Sequence, residues 1–172
     1  MPVEFCYRIT YLTGKEETMR ILEPGQISEH VHFVGDIMMS TYLVLTRHQA
    51  VQMDAGLTTT ALLLERQLKS LGFEQRPIHD IFLTHSHYDH IGAVPYLLQK
   101  FPGTRTGAHP LVSKVLASEK AVRLIRALNE EAEGLFAGQV KVPPEAKFRP
   151  FPVDITLHDG ERRELDGITS IT

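Results

Sequence analysis

The sequence has a single cysteine, Cys6, so neither an intrachain disulfide nor a thiolate metal cage can be built from it. It has no basic surplus: its 18 Lys and Arg residues are scattered along a chain of formal net charge −3, which argues against nucleic acid as a partner. It also lacks long apolar runs, and Glu4 and Arg8 interrupt the N-terminal segment, which argues against a signal peptide or a membrane span. These absences predict a soluble, cytoplasmic protein.

The chain is long and apolar enough to bury one ordinary hydrophobic core, since 42% of its 172 residues are hydrophobic. We expect one domain over residues 1–172. The first 53 residues contain short strand patterns separated by turn signals such as Glu23-Pro24-Gly25. This first part of the chain is predicted to form a meandering β-sheet.

Strand and helix patterns then alternate, which predicts an α/β fold. The predicted elements are a helix from Thr58 to Leu71 stopped by Gly72, a strand Ile78–Thr84, a helix Ile91–Phe101, and a helical region from Pro110 to about Phe136. His109, directly before Pro110, is expected to be a structural residue at a helix start. The proline-rich segment Lys141–Pro152 is predicted to be an extended excursion over the surface, followed by further short strands.

Three imidazoles and a carboxylate lie within six residues at a strand-to-helix junction: His85, His87, Asp89 and His90. On a strand, His85 and His87 would point to one face, whereas Asp89 and His90 would start the following helix and aim elsewhere. Two such ligand pairs suit two metal ions that ionise a bridging water. Zinc fits these donors best, with iron or manganese as alternatives. A histidine-rich loop without metal is the other interpretation, but an isolated His-x-His would suit it better than this full cluster.

The segment Thr84–His90 resembles the HxHxDH motif of the metallo-β-lactamase superfamily. Upstream, Asp54-Ala55-Gly56 is similar to the family's Asp-x-Gly. Downstream, Gly107-Ala108-His109-Pro110 and Asp159-Gly160-Glu161 are similar to family junctions and turns, so the resemblance covers about residues 20–172. It implies the four-layer αββα metallo-β-lactamase fold, of which this chain would supply mainly the N-terminal half.

The resemblance also implies roles for individual residues. His85 and His87 would hold a first metal, and Asp89 and His90 a second, with Asp89 also orienting the attacking hydroxide. Asp54 would support the ligands by hydrogen bonding from behind them, although it could instead be a turn residue that bonds its own backbone.

The implied activity is hydrolysis of a small-molecule ester, thioester, lactone, lactam or phosphoester with two Zn²⁺ ions. His87 argues against the oxygen-reducing di-iron branch of the family, which has glutamate at that place. An iron-dependent persulfide dioxygenase is a further alternative.

The family's later ligands have no counterpart in the sequence: a third histidine for the first metal, a bridging aspartate and a final histidine. We therefore expect the chain to stop before its core is complete and, taken alone, to bind metal weakly and hydrolyse little. The rival interpretation is a degenerate, non-catalytic half-domain that acts through association. Apolar faces of the early strands and of the helix from Thr58 would lack a partner, which favours self-association or pairing with a missing C-terminal half.

Overall fold

The computed structural model of the protein describes residues 6–10, 16–20, 23–73, 78–165 and 169–171. Strands β1 (Cys6–Thr10) and β2 (Glu16–Arg20) form an antiparallel hairpin. Seven further strands form one sheet, with neighbours in sequence order: β3 Gly25–Gln26, β4 Val31–Gly35, β5 Ser40–Leu45, β6 Ala50–Met53, β7 Asp80–Phe82, β8 Arg105–Ala108 and β9 Ile155–Thr156. Strands β10 (Arg163–Leu165) and β11 (Thr169–Ile171) form a second hairpin.

The seven-stranded sheet changes character at β6. Strands β3 to β6 pair antiparallel, which confirms the predicted meander for this part of the first 53 residues, whereas β1 and β2 form a separate sheet. Strands β6 to β9 pair parallel. Parallel neighbours require long crossovers, and helical segments between β6, β7, β8 and β9 supply them.

The crossovers contain α1 (Ala61–Leu68), α2 (Tyr88–Ile91), α3 (Val94–Lys100), α4 (Pro110–Ala117) and α5 (Glu119–Leu135). A 3₁₀ turn, Thr58–Thr60, precedes α1. The helical segment Lys69–Phe73 follows α1, and Gly72 at φ 90° ends its helical conformation. The long helical region predicted from Pro110 is broken at Ser118, whose hydroxyl accepts the Ala121 N–H and so caps α5. In the described part of the chain, no helix combines the length and apolar character needed to cross a bilayer.

Within the described residues, helices α1 to α5 cover one face of the sheet. Leu43 and Ile81 point to that face and join the main buried cluster, while their neighbours point to the other face. Each helix adds apolar side chains to this cluster: Leu64 and Leu68 from α1, Ile91 from α2, Val94 and Leu97 from α3, Val112 from α4, and Ile125 from α5. On the opposite face, a smaller cluster joins Val51 and Phe82 to Leu165 of β10.

Two expectations are corrected by this packing. The apolar side of α1 does not lack a partner, because Leu64 and Leu68 are fully buried between the helix and the sheet. The segment Lys141–Pro152 is not merely a surface excursion, since Phe148 and Phe151 are buried in the main cluster with their rings edge to face at 6.4 Å. Its prolines prevent regular pairing, but they do not prevent the aromatic side chains between them from entering the core.

Candidate metal centre

The four predicted ligands lie where β7 leads into α2. The strand ends at Phe82, and residues 83–87 form an irregular connection before α2 begins at Tyr88. The strand predicted over Ile78–Thr84 is therefore shorter, and the condition under which His85 and His87 would alternate on a strand is not met. The Thr84 N–H is taken by the side chain of Asp54 at 2.9 Å, so the backbone leaves the sheet before the histidines are reached. Asp89 and His90 do lie in the first turn of the helix, as predicted.

The structure brings the three histidine rings together, with His85 in the middle. The ring centroids of His85 and His87 are 4.5 Å apart, and those of His85 and His90 are 4.0 Å apart. Asp89 belongs to the same cluster, because its Oδ2 lies 3.8 Å from Nε2 of His90. The predicted ligands are thus neighbours in space as well as in sequence.

Asp54 supports this cluster from the end of β6. Its carboxylate accepts three hydrogen bonds: from Thr84 N at 2.9 Å, from Thr84 Oγ1 at 2.7 Å and from His90 Nδ1 at 2.9 Å. Asp54 is 8% exposed and has φ 58°, a left-handed conformation that Asp tolerates better than most residues. Its side chain reaches across to β7 and α2, so it does more than close a turn.

Backbone hydrogen bonds join the loop after β6 to β7 and to α2. Asp54 N donates to Phe82 O at 2.9 Å, and Ala55 N donates to His90 O at 2.8 Å. Behind the loop, the fully buried Gln52 donates from Nε2 to Asp54 O at 3.1 Å and to Thr41 Oγ1 at 2.8 Å. The left-handed Asp54 is therefore held through its N–H, its carbonyl and its carboxylate.

Thr84 is a site residue to which sequence reasoning gave no role. Its single hydroxyl proton goes to Asp54, so its oxygen accepts from Nδ1 of His85, 3.0 Å away. The sequence feature that could have indicated this role is a hydroxyl residue between an apolar strand and the first histidine of the cluster. With Nδ1–H of His85 given to Thr84 and Nδ1–H of His90 given to Asp54, both rings keep a lone pair on Nε2.

Burial and neighbouring charges favour the neutral form of His85, which is the form that a metal requires. Partial burial lowers the pKa of His85, and the neighbouring His90 and His87 lower it further, while Asp54 and Asp89 oppose the shift. A histidine must be unprotonated to bind a metal, so a depressed pKa extends the pH range in which His85 is ready.

The donor set fits a divalent metal in its chemistry. Imidazole and carboxylate donors suit zinc, and a metal-binding histidine commonly gives its other N–H to a carboxylate, as His90 gives Nδ1–H to Asp54. In their present orientation, however, no three His, Cys, Asp or Glu side chains of the described residues are arranged to hold one ion. The donors are grouped, but no three of them in the described residues are directed at a common point.

His109 lies apart from this chemistry, as predicted. It is the N-terminal cap of α4, and its Nδ1 accepts the Leu111 N–H at 3.2 Å.

A family model described as the metallo-beta-lactamase superfamily matches residues 34–170. Among solved structures, a HARLDQ-motif mutant of a metallo-beta-lactamase from Cronobacter sakazakii aligns over 86% of this chain and 52% of its own, with 25% identity and a TM-score of 0.63. BJP-1, a subclass B3 metallo-beta-lactamase of Bradyrhizobium japonicum, aligns over 87% and 50%, with 22% identity and a TM-score of 0.61. The α/β fold predicted from the sequence is thereby confirmed.

Two further relatives are informative. LRA-12, described as a class B3 di-zinc metallo-beta-lactamase from an Alaskan soil metagenome, is 23% identical over 83% of this chain and 48% of its own, with a TM-score of 0.60. The uncharacterised protein YobT of Bacillus subtilis is 27% identical over 105 residues, which is 61% of this chain and 44% of YobT. The chain thus spans about half the length of the proteins it matches.

Proposed function

This chain belongs to the metallo-β-lactamase superfamily, and from that membership we propose that it carries the metal-binding part of a metal-dependent hydrolase. The observation that carries the proposal is the cluster of His85, His87, Asp89 and His90 with Asp54 bonded to His90. Because the chain spans about half the length of its relatives, the activity is proposed for the whole protein.

We assign His85 and His87 to one metal, and Asp89 and His90 to a second. Zinc is the best chemical match to these donors, and one structural relative is described as di-zinc. When bound, such metals supply Lewis-acid polarisation of the substrate and lower the pKa of a water molecule. The proposed substrates are small molecules with an ester, thioester, lactone, lactam or phosphoester bond.

The remaining chemistry belongs to side chains of this chain. Asp54 holds the Nδ1–H of His90, and Thr84 accepts the Nδ1–H of His85, so both Nε2 atoms are kept as acceptors. We propose that the Asp89 carboxylate accepts a hydrogen bond from the attacking water and orients it towards the substrate. Burial and the neighbouring histidines lower the pKa of His85, which favours its neutral form.

The test is a Zn²⁺ titration followed by NMR of the histidine rings, which also detects weak binding. We expect saturable shifts for His85, His87 and His90, loss of saturation in His85→Ala, and normal binding in the matched control His109→Ala. Turnover of an ester, thioester, lactone, lactam and phosphoester panel would then be compared with and without Zn²⁺. Equal ring shifts at His109 and the three clustered histidines would contradict the assignment.

A non-catalytic half-domain is the second candidate. It is favoured by the orientation of the donors, since no three of them in the described residues are directed at one point. The whole protein would then hydrolyse nothing on the panel, and Zn²⁺ would not change its rates.

A further inference from the structure

Helix α5 reaches the loop of the candidate metal centre through one buried side chain. Asn129 is 1% exposed, and its Oδ1 accepts the Thr58 N–H at 3.0 Å although the two residues are 71 positions apart. Its Nδ2 donates to Ile125 O at 3.0 Å, which fixes the orientation of the amide. Thr58 directly follows the loop from Asp54 to Leu57, so Asn129 satisfies the first backbone N–H beyond that loop.

The same amide touches the end of the helix that carries Asp89 and His90. A Cβ added to Gly92 would lie 2.7 Å from Asn129 Oδ1, 2.7 Å from Thr58 N and 2.8 Å from Leu57 C. Contacts this short are absent from real structures, so only glycine allows this approach. The end of the loop, the residue after α2 and the Asn129 amide therefore meet at one point.

Between this point and Asp54, the loop and α2 are joined by two backbone hydrogen bonds. Ala55 N donates to His90 O at 2.8 Å, and Ala93 N donates to Gly56 O at 3.3 Å. At one end of this pair of hydrogen bonds, Asp54 accepts from His90 Nδ1. At the other end, Asn129 accepts from Thr58 N. A shift of the loop relative to α2 at Asn129 would thus be transmitted to the Asp54–His90 hydrogen bond.

We propose that Asn129 is a positioning residue for the metal centre. Its amide fixes the Thr58 end of the loop against Gly92, so that the Asp54 carboxylate stays aligned with Nδ1 of His90 and Nε2 keeps its direction. The proposal rests on the proposed function insofar as a metal is the ligand that this alignment serves.

The test compares Asn129→Leu with the matched control Val122→Ala. Leucine has a similar size but leaves the Thr58 N–H unpaired. Val122→Ala opens a cavity on the same face of α5, two turns away, so it lowers global stability without touching the loop. The readouts are amide hydrogen exchange of Ala55 relative to Val51 in the metal-free chain, and the Zn²⁺ dissociation constant.

In Asn129→Leu we expect Ala55 exchange to accelerate about tenfold relative to Val51 and Zn²⁺ affinity to fall about tenfold. Val122→Ala should change neither the Ala55 exchange relative to Val51 nor the Zn²⁺ dissociation constant. Gly92→Ala should reproduce the accelerated Ala55 exchange from the other side of the contact. The proposal is overturned if Asn129→Leu and Val122→Ala behave alike. If wild-type protein binds no Zn²⁺, the proposed function fails, and Ala55 exchange alone decides whether Asn129 holds the loop.

Discussion

Asp54 Oδ2 and His90 Nδ1 lie 2.9 Å apart and join two residues separated by 36 positions in the chain. The pair connects the end of β6 to the first turn of α2. A residue that directly follows β6 therefore sets the direction of the His90 ring on α2. A carboxylate that accepts one ring N–H fixes the tautomer and makes the other nitrogen a stronger ligand.

Asp54→Ala is expected to weaken Zn²⁺ binding by about 10–100-fold, the usual effect of removing a partner behind a metal ligand. The control is Asp36→Ala. It removes an equal charge from the loop between β4 and β5, where Asp36 Oδ1 accepts the Met38 and Met39 N–H groups. Competition with a chromophoric chelator measures both affinities, and equal losses in the two variants would assign the effect to net charge.

Thr84→Val is expected to weaken Zn²⁺ binding by roughly tenfold, whereas Thr84→Ser stays close to wild type. Valine keeps the shape but removes the hydroxyl that links Asp54 to His85, and serine restores it. The same chelator assay decides. Equal affinities for the two variants would show that the hydroxyl contributes nothing.

Asp89→Asn is expected to lower kcat by about a hundredfold or more while changing KM little, because the carboxylate acts on the attacking water rather than on bound substrate. Steady-state kinetics of the whole protein with the fastest substrate of the panel provide the measurement. An unchanged kcat with a raised KM would instead assign Asp89 to substrate binding.

Gly35→Ala and Gly138→Ala separate backbone strain from steric overlap. Both glycines have φ 92°, but a Cβ at Gly35 would lie 2.3 Å from Met39 O, whereas a Cβ at Gly138 meets open space. We expect Gly138→Ala to cost about 1 kcal/mol for the left-handed conformation and Gly35→Ala about 1–3 kcal/mol more for overlap. Urea unfolding of the two variants gives the difference, and equal costs would show that the β4–β5 turn yields freely.

Glu65 predicts an acid-dependent loss of stability. Burial raises the pKa of Glu65, but the hydroxyl of Tyr96 and the Lys69 ammonium, 2.9 Å from Oε1, outweigh it, so that the pKa is lowered. A carboxyl with a lower pKa in the folded state stabilises the fold fully above its unfolded pKa, about 4.3. This contribution is lost as the pH falls through the lower, folded pKa.

The matched variant is Glu65→Gln, which keeps the shape but cannot ionise. Its unfolding free energy should therefore fall less steeply than that of wild type between pH 5 and the acid limit, by about 2.303RT per proton per pH unit at most. Parallel slopes in urea titrations at successive pH values would show that Glu65 does not carry the effect.

The four proposed metal ligands could be predicted from the sequence because they are local. Four donors within six residues mark a site without any knowledge of the fold, and the strand and helix around them follow from periodicity. The Asp54–His90 contact could be inferred only from family resemblance, since nothing local pairs residues 36 positions apart. Asn129 carries even less signal, because a lone Asn on an amphipathic helix looks like a surface residue until the helix is packed.

The errors have a common physical origin. Helical spacing continues across Ser118, so the cap that divides α4 from α5 is hidden in the periodicity. Likewise, prolines report only that Lys141–Pro152 cannot pair regularly, and they do not report where Phe148 and Phe151 are buried. Local patterns determine backbone conformation better than they determine which distant surfaces meet.

The change from antiparallel to parallel pairing at β6 has a consequence for the order of folding. Strands β4, β5 and β6 are joined by turns of a few residues, so their pairing closes small loops at low entropic cost. The segment that contains α1 separates β6 from β7 in the chain. The contacts between these two strands are therefore non-local and slow to form. We therefore expect the meander to form early and to present Asp54 before His85, His87 or His90 is near it, so that the cluster of proposed ligands appears only in the late, rate-limiting stage of folding.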